Sequence, residues 1–219
     1  MSDARDAVLA RIRTALGPDP VVPEVPRDYR RAGTVPAGSP ELLDLLVDRL
    51  VDYKATVITT TDAGLAGDLR AALDATMPTG GRLIVPPGLP DGWLPRAGTD
   101  TGSAAADITV DDGVLGPRDL DGFAGVVTAC AAAVAETGTI ALDAGPDQGR
   151  RAITLVPDRH YCVVRADQVV QTVPDLLARL TPTRPLTLIS GPSATSDIEL
   201  NRVEGVHGPR TLVVLLVTQ

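Results

Sequence analysis

Two stretches of this 219-residue chain carry more reactive side chains than folding asks of them. The longer runs through Ser190, Gly191, Pro192, Ser193, Ala194, Thr195, Ser196, Asp197, Ile198 and Glu199. It continues to Asn201, Arg202 and Gly205-Val206-His207-Gly208-Pro209. On either side lie Pro185–Ile189 and Thr211–Val217, whose apolar composition predicts two buried strands. Gly191 and Pro192 supply the sharp exit that the first strand needs, through a permissive backbone and a fixed φ. That exit does not require four hydroxyls and two carboxylates as well.

A strand leaving through Ser-Gly-Pro-Ser into a helical turn aims several backbone N–H groups at one spot. With hydroxyls beside it, such a nest suits a carboxylate or a phosphate. Ser190, Gly191, Ser193, Thr195 and Ser196 are therefore candidate ligand-binding residues, and the Arg202 guanidinium adds a carboxylate clamp. Asp197 and Glu199 share a face if the segment is extended and diverge if it is helical. Both are candidate acids or bases. His207 sits where a tight turn exposes its ring for proton transfer, which makes it a third candidate. The alternative is a capped turn, in which the hydroxyls and Asp197 only satisfy backbone N–H groups.

The second stretch is Glu136-Thr137-Gly138-Thr139, set inside a run of small and apolar residues from Gly125 to Asp143. A carboxylate in such a run is costly to bury without partners. Glu136 therefore either reaches solvent at a turn or occupies a polar pocket as a catalytic group. Gly138 permits a left-handed turn, and Thr137 and Thr139 can bond either backbone or ligand. A β-hairpin turn with an exposed Glu136 is the plain structural alternative.

Composition removes several function classes. The formal charge of −8 and the absence of a basic, aromatic-interleaved stripe argue against nucleic acid. No apolar run approaches the roughly 18 residues of a membrane span, and no apolar leader follows Met1, so a cytoplasmic protein is expected. Cys130 and Cys162 cannot supply the four thiolates of an iron–sulfur cluster, and they read as buried, inert thiols. Two histidines without paired acidic spacing give no metal signature, so neither metal nor cofactor is expected on this chain. His160, after Pro157-Asp158-Arg159 at a strand start, reads as a surface residue or one that supports others behind a site, rather than as a ligand. No Gly-x-Ser-x-Gly elbow supports a serine triad.

The elements that would position these groups follow from periodicity. Asp3–Leu16 reads as an amphipathic helix ended by Gly17-Pro18, followed by a Pro-rich arm to Gly38. This first unit, 1–38, either packs on a neighbouring subunit, making a homo-oligomer, or folds back on its own domain. The compact domain, 39–219, opens with Ser39 as N-cap, Pro40, and an apolar face of Leu42, Leu43, Leu45, Leu46, Leu50 and Val51. Strands are expected at Ala55–Thr59, Arg82–Val85 and Ala106–Val110, with a helix capped by Thr60–Asp62 and running to about Asp74. The Gly125–Asp143 run reads as buried strand, tight turn, buried strand. Ala152–Val156 and Tyr161–Val164 read as strands, and Thr172 or Val173 opens a helix through Leu180. Helices alternating with strands predict an α/β fold around a parallel sheet.

Together the two stretches carry a resemblance. Ala135-Glu136-Thr137-Gly138-Thr139-Ile140, Gly149-Arg150-Arg151-Ala152 with Leu155-Val156-Pro157-Asp158, Ile189 to Glu199, and Gly205 to Pro209 resemble the LUD domain family of the lactate utilization protein C type (LutC, YkgG). Arg11 to Gly17 is similar to that family as well. The resemblance implies a NagB/RpiA/CoA-transferase-like α/β sheet with helices on both faces and additional antiparallel strands. It implies a cluster-free component of L-lactate oxidation to pyruvate, working with partner subunits that carry iron–sulfur clusters. It also draws the 136–139 and 190–209 segments together as two walls of one pocket for a small anion. Where some family members have an aspartate just before the Glu-Thr-Gly-Thr motif, this chain has Ala131 to Ala133. The competing expectations are a stand-alone enzyme on a sugar phosphate or CoA thioester, with Glu136 or Glu199 as base or nucleophile, and a non-catalytic scaffold.

Overall fold

The computed structural model describes residues 2–94, 107–192, 194–195, 203–204 and 208–218. The chain divides into two compact units, Met1–Arg30 and Arg31–Gln219. The first holds α1 (Ser2–Leu16), along which Val8, Ile12 and Leu16 recur at helical spacing and remain exposed. Gly17 closes the helix with a left-handed backbone, its N–H donating to the Arg13 carbonyl.

The larger unit contains, in order, α2 (Pro40–Asp52), β1 (Thr56–Thr60), α3 (Leu65–Thr76), β2 (Arg82–Val85), β3 (Asp107–Val110) and α4 (Pro117–Leu120). There follow β4 (Gly125–Thr128), β5 (Ala132–Val134), β6 (Thr139–Leu142), α5 (Arg151–Leu155), β7 (Arg159–Arg165) and β8 (Val169–Val170). The last elements are α6 (Val173–Arg179), β9 (Thr187–Ile189), β10 (Ala194–Thr195), β11 (Val203–Glu204) and β12 (Thr211–Val217). Before α2, residues Gly33 to Gly38 are tied to later elements. Gly33 N–H donates to Asp175, Thr34 and Val35 N–H groups donate to Gln171 Oε1, and Gly38 N–H donates to the Val169 carbonyl.

Six strands form a parallel sheet in the order β1-β12-β7-β4-β2-β3. One inner strand, β12, is buried along nearly its whole length and sends alternate side chains to the two faces of the sheet. Leu212, Val214 and Leu216 pack with Leu42, Leu46 and Leu50 of α2. Val213, Leu215 and Val217 pack with Leu65, Leu69 and Leu73 of α3 on the other face. Burying such side chains on both faces stabilises the sheet by about 1.5–3 kcal/mol for each. A second sheet, β8-β5-β6-β9, mixes parallel and antiparallel pairs. Its Ala133, Ile140 and Leu142 join the α2 side of the core, and α6 covers its other face through Leu176. The fold is thus α/β, a parallel sheet flanked by helices with antiparallel strands added. No helix among the described residues is long and apolar enough to cross a membrane.

Several local expectations are corrected. Ala152–Val156 is not a strand: α5 occupies Arg151–Leu155, burying Ile153 and Thr154. A five-residue apolar run cannot distinguish the two states, and here Gly149 turns left-handed and Arg150 is pinned to Asp111, so the chain starts a helix. Pro185–Ile189 is not a buried strand. Only Thr187–Ile189 pairs, at the edge of the second sheet, and Leu188 is 52% exposed. After Pro192, Ala194–Thr195 is not a helical turn but pairs antiparallel with Val203–Glu204. The N-cap of α3 is Gly64, whose N–H donates to Thr61 Oγ1, and Val51 lies off the buried face of α2.

Candidate functional site

The Glu136–Thr139 stretch is the turn of the β5–β6 hairpin, as the alternation of small residues and the single glycine predict. Gly138 has φ +59°, and a Cβ there would lie 2.8 Å from Arg49 Cβ. Gly191, leaving β9 with φ +80°, would place a Cβ 2.6 Å from Tyr53 Cβ and 2.7 Å from the Tyr53 carbonyl oxygen. Arg49 lies in the last turn of α2 and Tyr53 is its C-cap, one turn apart. Both glycines therefore let the backbone of a candidate stretch lie directly on the end of one helix. A side chain at either position would push its stretch away.

This shared seat brings the two stretches into contact. Thr139 Oγ1 lies 2.9 Å from Ser190 Oγ and 2.8 Å from Thr137 Oγ1. Three hydroxyls thus form a chain from an exposed hairpin turn to the end of β9. Three hydroxyls bring three protons to two links, so one proton is left to donate outside the chain. When Thr137 donates to Thr139 and Thr139 to Ser190, that proton is on Ser190.

Ser190 opens onto a cleft of about 210 Å³ lined by Thr187 to Pro192 on one side. Thr154, Leu155, His160, Leu212 and Pro209 complete its lining. The cleft lies at the amino ends of β7 and β12, where His160 and Leu212 face each other in register. This is not the carboxyl end of the sheet, where open parallel sheets ordinarily hold ligands. It forms because edge strand β9 of the second sheet passes there. No Lys or Arg is among its described lining residues.

His160 forms part of this lining and is the residue that sequence reasoning missed. It is 1% exposed, so its reading as a surface residue is corrected. Its Nε2 lies 2.8 Å from Thr128 Oγ1, and burial pushes its pKa down to about 4, so the ring is neutral at pH 7. The signal available in the sequence was position. His160 is the second residue of β7, which alternates His160, Cys162 and Val164 on one side, and the whole of that strand's interior is buried.

Glu136 does not line the cleft. It is exposed at the hairpin turn, where Gln171 Nε2 donates to its Oε1 at 3.0 Å. Thr195 belongs to β10. Ser193, Ser196, Asp197, Glu199, Arg202 and His207 lie outside the described residues. At the opposite end of the sheet Arg150 Nε and Nη2 donate to both oxygens of buried Asp111 at 2.8 and 2.9 Å. The guanidinium holds the Asp111 carboxyl below its ordinary pKa. Cys130 and Cys162 are buried, free thiols, and the neighbouring Cys162 together with burial raises the Cys130 pKa. No group of His, Cys, Asp and Glu among the described residues has the arrangement of a metal site.

Comparison with known proteins bears on the same region. A family model described as the LUD domain matches residues 123–217, from just before β4 to the end of β12. Lactate utilization protein C of Deinococcus radiodurans is 46% identical over 186 residues, covering 83% of this chain and 82% of that protein. Lactate utilization protein C of Geobacillus thermodenitrificans is 30% identical over 234 aligned positions, covering 98% and 96%. The crystal structure of a DUF162 family protein from Deinococcus radiodurans superposes with a TM-score of 0.64 at 39% identity, covering 81% of this chain and 96% of that one.

Proposed function

The chain belongs to the LUD domain family, and from that premise we propose that it serves lactate utilization as the component that binds a small monocarboxylate. The names of its relatives support the pathway. The observation that carries the site is the Thr139–Ser190 hydrogen bond, which joins two motifs at one cleft. The described lining offers hydroxyls and a neutral imidazole rather than fixed cations. Such a lining matches a singly charged, strongly hydrogen-bonding ligand such as lactate or pyruvate. A phosphate dianion would call for cationic partners or several convergent N–H groups.

In this reading the oxidation of L-lactate to pyruvate runs in the cytoplasm with partner subunits that carry the iron–sulfur clusters. This chain supplies a binding cleft and no redox group. The likeness to the NagB/RpiA/CoA-transferase group belongs to the same proposal and concerns the sheet, not the chemistry. The test is reconstitution with the iron–sulfur partners. Lactate oxidation is expected to require this chain and to fall with Ser190→Ala. Oxidation unchanged when the chain is left out would refute the role.

A further inference from the structure

His160 and Thr128 together fix which proton the base of the cleft presents. Thr128 is fully buried, and among the described residues its hydroxyl has one partner, His160 Nε2. If Nε2 carried the ring proton, the Thr128 hydroxyl would accept it and its own proton would be left without an acceptor in the core. A buried donor without an acceptor costs about 1–3 kcal/mol. Thr128 therefore donates, Nε2 accepts, and the neutral ring carries its proton on Nδ1.

Nδ1 then needs an acceptor. No second protein partner of the ring is found among the described residues. Yet the buried side-chain polar atom lacking a partner there is Ser39 Oγ, not a His160 nitrogen. Nδ1 is thus not sealed in the core, and the side on which His160 meets open space is the cleft. Also in the lining, the Thr154 hydroxyl has already given its proton to the Arg151 carbonyl at 3.0 Å. Its oxygen is left to accept. The cleft accordingly offers a donor from His160, an acceptor from Thr154, and the end of the Thr137–Thr139–Ser190 chain.

We propose that His160 is a ligand-recognition residue, donating from Nδ1 to the carboxylate of a small 2-hydroxy acid whose hydroxyl donates to Thr154. Thr128 is its positioning residue, fixing the ring proton by accounting for Nε2. The inference rests on the reading of the cleft as a monocarboxylate site and adds the group that reads the carboxylate. It also assigns a preference. A 2-oxo acid lacks the hydroxyl proton that Thr154 accepts, so L-lactate binds more tightly than pyruvate.

The test is a long-range ¹⁵N–¹H spectrum of the imidazoles in the full-length protein at pH 7. The chain has two histidines, and His160→Gln assigns the signals. The expected spectrum has a protonated Nδ1 and an unprotonated Nε2 for His160, and Thr128→Val mixes the two forms. Titrated L-lactate moves the Nδ1 signal saturably, with an affinity about tenfold weaker in His160→Gln, which loses a donor worth roughly one hydrogen bond. His160→Asn, whose amide stands near the Nδ1 position, retains more of the affinity than His160→Gln. A protonated Nε2, or an Nδ1 signal unmoved while the Ser190 and Gly191 amides respond, overturns the inference and leaves the cleft reading standing. If those amides are silent too, both fail.

Discussion

The hydroxyl of Ser190 stands 2.9 Å from that of Thr139, a residue 51 positions earlier in the chain. Thr139 begins an inner strand of the second sheet and Ser190 follows its edge strand, so the contact ties a hairpin turn to the rim of a cleft. The contact exists because both segments rest on the carboxyl end of α2, each through a glycine. From this geometry follow expectations for stability as well as for binding.

Replacing Ser190 by Ala leaves Thr139 with Thr137 as a partner, so the melting temperature should change little. Replacing Thr139 by Val removes the middle of the chain and separates Thr137 from Ser190. A double-mutant cycle between Thr139→Val and Ser190→Ala, measured by chemical denaturation, should give a coupling of about 0.5–1.5 kcal/mol. Additive effects would show that the two hydroxyls do not interact.

Gly191→Ala meets two obstacles, a left-handed backbone and the Tyr53 main chain 2.7 Å away. Gly80, also left-handed at φ +73°, has no atom within 4 Å of an added Cβ. Gly80→Ala should therefore cost only the backbone strain, about 1 kcal/mol. Gly191→Ala should cost about 1–3 kcal/mol more, as overpacking does. Equal losses in denaturant midpoint would mean that Gly191 does not seat β9 on α2.

His160 sets a pH dependence of stability. Its pKa is near 6.5 in the unfolded chain and about 4 when folded, because burial disfavours the charged ring. Between those values the unfolded chain binds more protons than the folded one, so stability falls as pH drops from 6.5 to 4 and is retained above 6.5. The loss should reach roughly 3 kcal/mol. His160→Gln should flatten that window in denaturation curves while leaving the steeper fall below pH 4 to carboxylates such as Asp111. An unchanged slope would show that His160 is not a buried neutral ring.

Arg150→Met leaves Asp111 buried without its bidentate partner. Breaking such a pair from one side costs about 3–5 kcal/mol when both groups are buried, and less here because Arg150 is one-third exposed. Asp111→Asn in the Arg150→Met background should recover part of the loss. Failure to recover would place the defect in the lost Arg150–Leu115 contact rather than in the stranded charge.

Much of this arrangement was legible from spacing. The glycine in Glu136-Thr137-Gly138-Thr139 announces a tight turn between apolar strands, and the strands flanking it pair as expected. Ser39-Pro40 starts α2, and Thr172 with Asp175 starts α6 through a capping box. What spacing could not give was which sheet each strand joins. β9 and β12 look alike in sequence, but one is an exposed edge of the small sheet and the other a buried inner strand of the large one. The role of His160 was hidden for the same reason, since its cleft is made by two elements that approach only in the folded chain. The helix at Arg151–Leu155 was missed because five apolar residues fit either period, and a tertiary contact at Arg150 decides between them.

The central claim, that the cleft beside Ser190 and His160 holds a small monocarboxylate, is tested most directly by calorimetric titration of the full-length protein. L-Lactate, pyruvate and inorganic phosphate are the ligands, and Ser190→Ala and His160→Gln are the variants. Saturable one-to-one binding of L-lactate is expected, stronger than that of pyruvate and far stronger than that of phosphate. Either substitution should weaken it about tenfold, with the fold intact by circular dichroism. No binding of either acid, or lactate binding that both substitutions leave unchanged, would contradict it.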